Sequence, residues 1–153
     1  MGYFEREIRQ IAALPLLAKP DGSLDLCIVT ARGSGRWIIP KGNPIHGLQP
    51  HEVAAREALE EAGLVGVAHP DCIGSFKFDR RQTRCTVDVY AMKVSWQNPQ
   101  WAEMNDRSVL CCNVETALSM ISPQGLVDLI GRYLHTGQTR QAAQVPEYRL
   151  GFA

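Results

Sequence analysis

Apolar residues in the first part of the chain occur in short runs, and turn residues separate these runs. Residues 8 to 18 form an apolar run that ends at a Lys-Pro-Asp-Gly turn signal, and residues 24 to 30 are rich in side chains that favour strands. Their close spacing predicts that the two runs pair as a β-hairpin. A short strand is also predicted at residues 37 to 39, because Pro40 stops it.

Residues 50 to 62 have the features of a helix. Pro50 suits the first helical turn, and Gly63 suits the C-terminal cap. The helix-forming and apolar positions between them are Ala54, Ala55, Ala58, Leu59 and Ala62. The loop that precedes this helix contains Gly42, Pro44 and Gly47.

The pattern of the second half predicts further strands. Two strands are expected at residues 73 to 78 and 86 to 96, and a polar tip at residues 79 to 84 joins them. Another short strand is expected within residues 108 to 113.

Two helices are expected after these strands. Asn113 can cap a short helix, and Ser122-Pro123 opens a longer one. No structure is predicted for residues 136 to 153, which are treated as a C-terminal tail. The order of the elements predicts one α/β domain over residues 1 to 135, in which helices bury their apolar sides on a mixed sheet.

Composition narrows the possible functions. The chain has 153 residues, of which 45% are hydrophobic, and its formal net charge is zero. A neutral domain gives no general electrostatic attraction to a nucleic-acid polymer or a membrane, so neither is expected as a partner. The five cysteines include no CxxC pair, and the start of the chain carries no apolar signal-peptide core. Reduced thiols and a cytoplasmic location are therefore expected.

Three carboxylates share one face of the predicted helix. Glu57, Glu60 and Glu61 are spaced at i, i+3 and i+4, so they repel one another unless positive charge lies among them. Arg56 can reach Glu60, but one arginine does not neutralise three glutamates. A hard divalent cation such as Mg2+ or Mn2+ would do so. The alternative is that these glutamates are ordinary solvated residues of a soluble domain.

The spacing around these glutamates resembles the Nudix box, whose pattern is G-x5-E-x7-R-E-U-x-E-E-x-G-U, with U a bulky apolar residue. The matching positions are Gly42, Arg56, Glu57, Glu60, Glu61, Gly63 and Leu64. The resemblance implies a Nudix-type α/β/α sandwich with the box as loop, helix and loop. It also implies hydrolysis of a phosphoanhydride bond in a nucleoside diphosphate-linked or related small molecule. Residues 37 to 42 and 101 to 103 resemble the subgroup that acts on diphosphoinositol polyphosphates and dinucleoside polyphosphates.

The resemblance also implies roles for individual residues. Glu60 and Glu61 would be metal ligands, and Glu57 would be a further ligand or the base that deprotonates water. Arg56 would orient Glu57 by a charge-assisted hydrogen bond. The backbone carbonyl of Lys41 is a further candidate ligand, and the candidate for one more acid from a later loop is Glu103.

Several cations are candidates for binding the phosphates of such a substrate. Lys41 precedes the box loop, and the others flank a glycine turn or form the tip of the predicted hairpin: Arg32, Arg36, Arg80, Arg81 and Arg84. The alternative for the hairpin tip is a solvated basic loop.

Ala58 is a small occupant of the first apolar position of the box, and one other departure matters more. The pattern requires a glutamate at position 48, where this chain has Leu48, and Glu52 one turn later is a partial substitute. The loss favours an alternative in which a Nudix-fold module binds a nucleotide or phosphorylated ligand without cutting it. The sequence leaves the oligomeric state open.

Overall fold

The strands and helices follow the predicted order. The computed structural model describes residues 6 to 135, and the tail expected at residues 136 to 153 lies outside them. In chain order the described elements are β1 (Arg6–Ala18), β2 (Leu24–Thr30), β3 (Trp37–Ile38), β4 (Lys41–Gly42), α1 (Pro50–Ala62), β5 (Leu64–Arg80), β6 (Thr83–Gln97), β7 (Val109–Asn113), α2 (Val114–Met120) and α3 (Gln124–His135).

All seven of these strands belong to one mixed sheet. The order along the sheet is β3-β2-β1-β6-β5, while β4 also pairs with β1 and β7 also pairs with β2. Strands β1 and β6 are parallel, and the other pairs are antiparallel. The predicted hairpin of β1 and β2 is confirmed, with Leu16 opposite Leu26.

Helices pack on this sheet and cover its core. Helix α1 contacts β1, β4, β5 and β6, α2 contacts β2 and β7, and α3 contacts β5. In the central strand β1, consecutive residues Ala12, Ala13 and Leu14 are fully buried, as expected for a strand that is covered on both sides. The predicted α/β/α sandwich is confirmed.

The hairpin formed by β5 and β6 is much longer than predicted. The sequence indicated a polar tip of six residues, but pairing continues through Asp79 with Arg84 and Arg80 with Thr83. The Asp79 Oδ1 atom lies 3.2 Å from Arg84 Nε. These strand ends are mostly exposed, so they need no apolar face, and hydrophobic alternation cannot reveal them.

The short helix α2 begins as predicted. The Asn113 side chain caps it by accepting a hydrogen bond from the Thr116 backbone N–H at 2.8 Å. Within residues 6 to 135, none of the helices combines the length and apolar character that crossing a bilayer would require.

The expectation of five reduced thiols is wrong for one pair. Cys27 of β2 and Cys111 of β7 lie directly opposite each other and form a disulfide. The other three cysteines are free: Cys72, Cys85 and Cys112. Sequence spacing does not indicate this disulfide, because the sheet joins residues that are 84 positions apart.

The contact between β5 and α3 yields a test of the packing. Gly74 has φ 144°, and a Cβ added there would lie 2.6 Å from Leu129 Cδ1. We expect Gly74→Ala to lower the free energy of unfolding by about 1–3 kcal/mol, because the buried Leu129 or the backbone must shift. Chemical denaturation measures this change.

The matched control is Gly131→Ala in α3, where an added Cβ meets no atom within 4 Å. Because alanine favours helices over glycine, this variant should gain up to about 1 kcal/mol. Equal stability of Gly74→Ala and the native protein would contradict the close approach of α3 to β5.

Candidate functional site

The N-terminal end of α1 shows what Leu48 and its suggested substitute Glu52 do. Leu48 is half-buried and packs against the hydrophobic core. The Glu52 carboxylate accepts a hydrogen bond from the Gln49 backbone N–H at 3.2 Å, which is part of a capping box. Glu52 therefore stabilises the start of the helix.

The C-terminal end of α1 is tied to later segments of the chain. Its last four carbonyls have no partner within the helix, and each accepts a hydrogen bond from beyond it. For the carbonyls of residues 59 to 62 in turn, the donors are Gly63 N (2.9 Å), Glu103 N (3.0 Å), Trp101 Nε1 (3.2 Å) and Gln97 Nε2 (2.9 Å). This capping holds the loop of residues 98 to 108 against the helix, and brings Glu103 to the helix glutamates.

Both glycines of the box make close contacts. Gly63 adopts φ 70°, and a Cβ there would meet the ring of Trp101. A Cβ at Gly42 would overlap the carboxylate of Glu57, which would have to turn away. Glycine at position 42 therefore lets the loop backbone lie against the carboxylate of Glu57 in its present orientation.

The glutamates of α1 differ in their burial. Glu61 is 3% exposed, whereas Glu57 and Glu60 are half-buried. Burial raises the pKa of Glu61 to about 8, nearby Arg107 opposes this shift, and Glu57 adds to it. Burial also raises the pKa of Glu57, whose carboxylate is hydrogen-bonded to that of Glu61. The two carboxylates therefore bind a proton more tightly than isolated glutamates do.

Arg56 has a different partner from the one that the resemblance implied. Its Nε atom lies 2.9 Å from Glu60 Oε1, as the i, i+4 spacing predicts. The expected hydrogen bond from Arg56 to Glu57 is not formed. A long arginine side chain on a helix reaches its i+4 neighbour more readily than the adjacent residue, which points to another side.

Arg107 is the functional candidate that sequence reasoning missed. Its side chain is 13% exposed, and its Nε atom lies 3.0 Å from Glu103 Oε1 and 3.8 Å from Glu61 Oε1. Its Nη1 atom donates to the Thr30 carbonyl at 3.0 Å. The i, i+4 spacing of Glu103 and Arg107 was a weak signal in the sequence, but nothing there connected Arg107 to Glu61.

Glu103 lies at the site, where two arginines hold it. Its Oε1 atom is 3.0 Å from Arg107 Nε and also 3.0 Å from Arg32 Nη2. The same Arg32 atom is 2.9 Å from Asp106 Oδ2. Arg32, a predicted phosphate-binding residue, is thus engaged by carboxylates, although its side chain is 60% exposed.

Lys41 occupies a polar cluster beside the site. Its Nζ atom donates to Gln10 Oε1 at 2.9 Å and lies 4.8 Å from the ring centroid of Phe78. Burial lowers the pKa of Lys41, Arg80 lowers it further, and Glu61 opposes both. Arg80 and Glu61 therefore each lie near enough to Lys41 to influence its pKa. Sequence reasoning also missed Gln10, which is 8% exposed in the sheet.

The remaining arginine candidates lie at the surface. Arg36 and Arg81 are exposed, and Arg84 is half-buried beside Asp79.

The donors at the cluster match a hard cation in kind, because all are oxygen atoms. Within residues 6 to 135, however, no three acidic, histidine or cysteine side chains converge tightly enough to hold a metal ion in their present orientations. Glu60 is directed at Arg56, and Glu103 at Arg32 and Arg107. A complete ligand set would require these carboxylates to rotate away from their arginines.

Known proteins resemble both the sequence and the fold. The family model described as NUDIX domain matches residues 9–113. The chain is 30% identical over 101 residues to the Arabidopsis thaliana Nudix hydrolase 16, mitochondrial, covering 61% of this chain and 55% of that protein. It is 23% identical over 124 residues to the Arabidopsis Nudix hydrolase 13, mitochondrial, with 74% and 61% covered. The chain thus spans less than two thirds of the length of these relatives.

Two solved structures illustrate the likeness of fold. The C. elegans Ap4A hydrolase superposes with a TM-score of 0.66 at 19% identity, covering 83% of this chain and 96% of that chain. The NUDIX domain of Shewanella oneidensis NrtR, solved in complex with ADP ribose, gives a TM-score of 0.65 at 17% identity, covering 86% and 90%.

The burial of Glu61 predicts how stability depends on pH. Its pKa is about 8 in the folded protein against 4.5 for a free carboxyl, so between these values the folded state binds more protons than the unfolded state. The stability of metal-depleted protein should therefore fall as pH rises through this window. A divalent cation favours the charged carboxylates, so Mg2+ should raise Tm more at about pH 8 than at about pH 5.5.

Thermal melts in EDTA and in Mg2+ at both pH values measure this difference. Glu61→Gln, which cannot ionise, is the control and should lose most of the pH dependence. An equal Mg2+ effect on the native protein at both pH values would contradict the assignment to Glu61.

Proposed function

The chain belongs to the NUDIX family, and we propose that it hydrolyses a phosphoanhydride bond in a nucleoside diphosphate-linked or related polyphosphorylated small molecule. The observation that carries this proposal is the acidic cluster at the end of α1. Four carboxyl groups lie near enough there to influence the pKa of one of them, Glu57; the others are Glu60, Glu61 and Glu103, and Glu61 is almost fully buried. Burying a carboxyl group beside other acidic groups opposes folding, so the cluster favours a catalytic role over a structural one.

We propose that the cluster uses Mg2+ or Mn2+. Glu60 and Glu61 would hold the cation, with Glu57, Glu103 and the backbone carbonyl of Lys41 as further donors. When bound, the cation supplies Lewis-acid polarisation of phosphoryl oxygens and offsets the charge that builds on the leaving phosphate.

The proposed base is Glu57. Its carboxylate lies against Gly42 and is hydrogen-bonded to Glu61, and burial raises its pKa, which strengthens it as a proton acceptor. In the proposed reaction Glu57 takes a proton from water while the water oxygen forms a bond to phosphorus. The phosphoanhydride P–O bond breaks, and its electron pair leaves with the departing phosphate. Glu60, which Arg56 holds at 2.9 Å, would turn from Arg56 to the cation in this site.

Local positive charge is proposed to hold the substrate phosphates. Lys41 lies near Glu61 and Arg80 lies near Lys41, so they are the first candidates, and Arg32 is next because it pairs with Glu103. The weaker candidates are Arg36, Arg81 and Arg84. A chain with zero net charge needs such local cations to attract a polyphosphate. Dinucleoside polyphosphates and ADP-ribose are the first substrates to test, since fold neighbours are described as acting on or binding them.

A binding module that does not cut its ligand is the second candidate. The observation in its favour is Leu48, which packs against the core where the box pattern requires an acid. Both candidates would bind a phosphorylated ligand, so turnover is the property that distinguishes them.

A panel of substrates tests the proposed activity. The panel contains ADP-ribose, dinucleoside polyphosphates, nucleoside triphosphates and diphosphoinositol compounds, each with Mg2+ or Mn2+. We expect metal-dependent release of phosphate-containing products from at least one compound. Glu60→Gln and Glu61→Gln should lower kcat by on the order of a hundredfold or more, because each removes a charged ligand.

Glu115→Gln is the matched control for these variants. Glu115 is an exposed glutamate of α2, so its loss should leave kcat unchanged. Tight binding of a ligand without turnover of any compound in the panel would contradict the proposed hydrolysis and favour the binding module.

Leu48→Glu tests whether the missing box acid limits the rate. Because Leu48 packs against the core, we expect this variant to lower Tm and to give no large gain in kcat. A gain of roughly tenfold or more in kcat, measured on the substrate found in the panel, would show that the native site is impaired by Leu48.

A further inference from the structure

Arg107 is a half-buried cation beside the acidic cluster. Its side chain is 13% exposed, and its Nε atom lies 3.0 Å from Glu103 and 3.8 Å from Glu61. The Glu61 side chain is 4% exposed, so solvent screens this pair very little. Arg107 is therefore the positive charge nearest to the most buried carboxylate of the site.

The position of Arg107 is fixed by the end of β2. Its Nη1 atom donates to the Thr30 carbonyl at 3.0 Å. The next residue, Ser108, accepts from the Thr30 backbone N–H at 3.1 Å and donates to Thr30 Oγ1 at 2.8 Å. Three hydrogen bonds thus anchor residues 107 and 108 to one residue of the sheet. If the cluster rearranges, the glutamate side chains can rotate, but Arg107 stays.

The carboxylates that Arg107 contacts are the same ones that a divalent cation would need. An oxygen that accepts a hydrogen bond from a guanidinium offers less of its electron density to a metal, and the guanidinium charge repels the metal. Glu103 Oε1 in particular is shared by Arg107 and Arg32.

We propose that Arg107 is an internal counter-ion that competes with a divalent cation for Glu61 and Glu103, and thereby sets the affinity of the acidic cluster for metal. This inference rests on the proposed function, in which the cluster holds such a cation. Arg107 also neutralises part of the cluster when no cation is bound, so that folding does not depend on metal. It is a positioning residue, because it acts through the two glutamates.

Direct metal binding tests this proposal. Mn2+ affinity is measured by electron paramagnetic resonance on the full chain without substrate. Arg107→Gln removes the charge but keeps a side-chain donor for Thr30, and it should bind Mn2+ about tenfold more tightly than the native protein. Arg107→Lys keeps the charge and should stay within about twofold of the native affinity. An unchanged or weaker affinity of Arg107→Gln would overturn the proposal.

Arg9→Gln is the matched control. Arg9 forms an ion pair with Asp88 at 2.9 Å elsewhere on the sheet, so its loss removes an arginine–carboxylate pair without touching the cluster. It should leave the Mn2+ affinity unchanged. If Arg9→Gln increased the Mn2+ affinity as much as Arg107→Gln does, the effect would come from net charge, and the proposal would be overturned.

A measurement on the native protein covers the case in which Arg107→Gln does not fold. In nitrogen-detected NMR, the Nε–Hε signal of Arg107 should shift when Mg2+ saturates the protein, and the Arg9 signal should not. An Arg107 signal that stays in place at saturation would overturn the proposal. Glu61→Gln distinguishes failure of the proposed metal site from failure of the proposed role of Arg107. If Glu61→Gln binds Mn2+ as tightly as the native protein does, the proposed metal site is wrong.

Discussion

The structure around the site depends on one buried acidic group, the carboxyl of Glu61. A carboxylate that is removed from water strongly opposes folding unless positive charge or hydrogen bonds compensate it. Here the compensation comes from Arg107 and from the shared hydrogen bond with Glu57. Arg107 in turn needs the Thr30 carbonyl, so three distant segments must meet at this point: α1, the loop of residues 98 to 108, and the end of β2.

The backbone of this region is held more firmly than its side chains. The loop of residues 98 to 108 supplies donors to the last carbonyls of α1, and a buried carbonyl without a donor is unfavourable. Glu103 is therefore kept beside the helix whether or not its own side chain is engaged. Its carboxylate and that of Glu60 can still exchange one partner for another by rotation alone. In such a site the backbone positions are fixed, while the carboxylates can change partners. This combination suits the binding of a cation and a polyphosphate.

The cationic part of the site, at Lys41, also depends on contacts between elements that are distant in sequence. The Lys41 side chain donates a hydrogen bond to Gln10 and lies over the ring of Phe78. Both partners belong to other strands, so these contacts tie the Lys41 side chain to the sheet. Two charges with opposite roles, Lys41 and Glu61, are thereby placed near each other on different elements. The net charge of zero hides this local separation of charge.

The sequence by itself determined the elements whose signals are local. The bounds of α1 follow from Pro50 and Gly63, and the box glutamates follow from helical spacing, because neighbours along a helix are neighbours in sequence. The tertiary structure alone decided the contacts of Arg107 with Glu61, the place of Glu103 between two arginines, and the disulfide of Cys27 with Cys111. Arg107 and Thr30 are 77 residues apart, and only the pairing of strands brings such residues together. The chemistry of the helix could therefore be predicted from local spacing, whereas its counter-ions could not, since long-range sheet pairing places them.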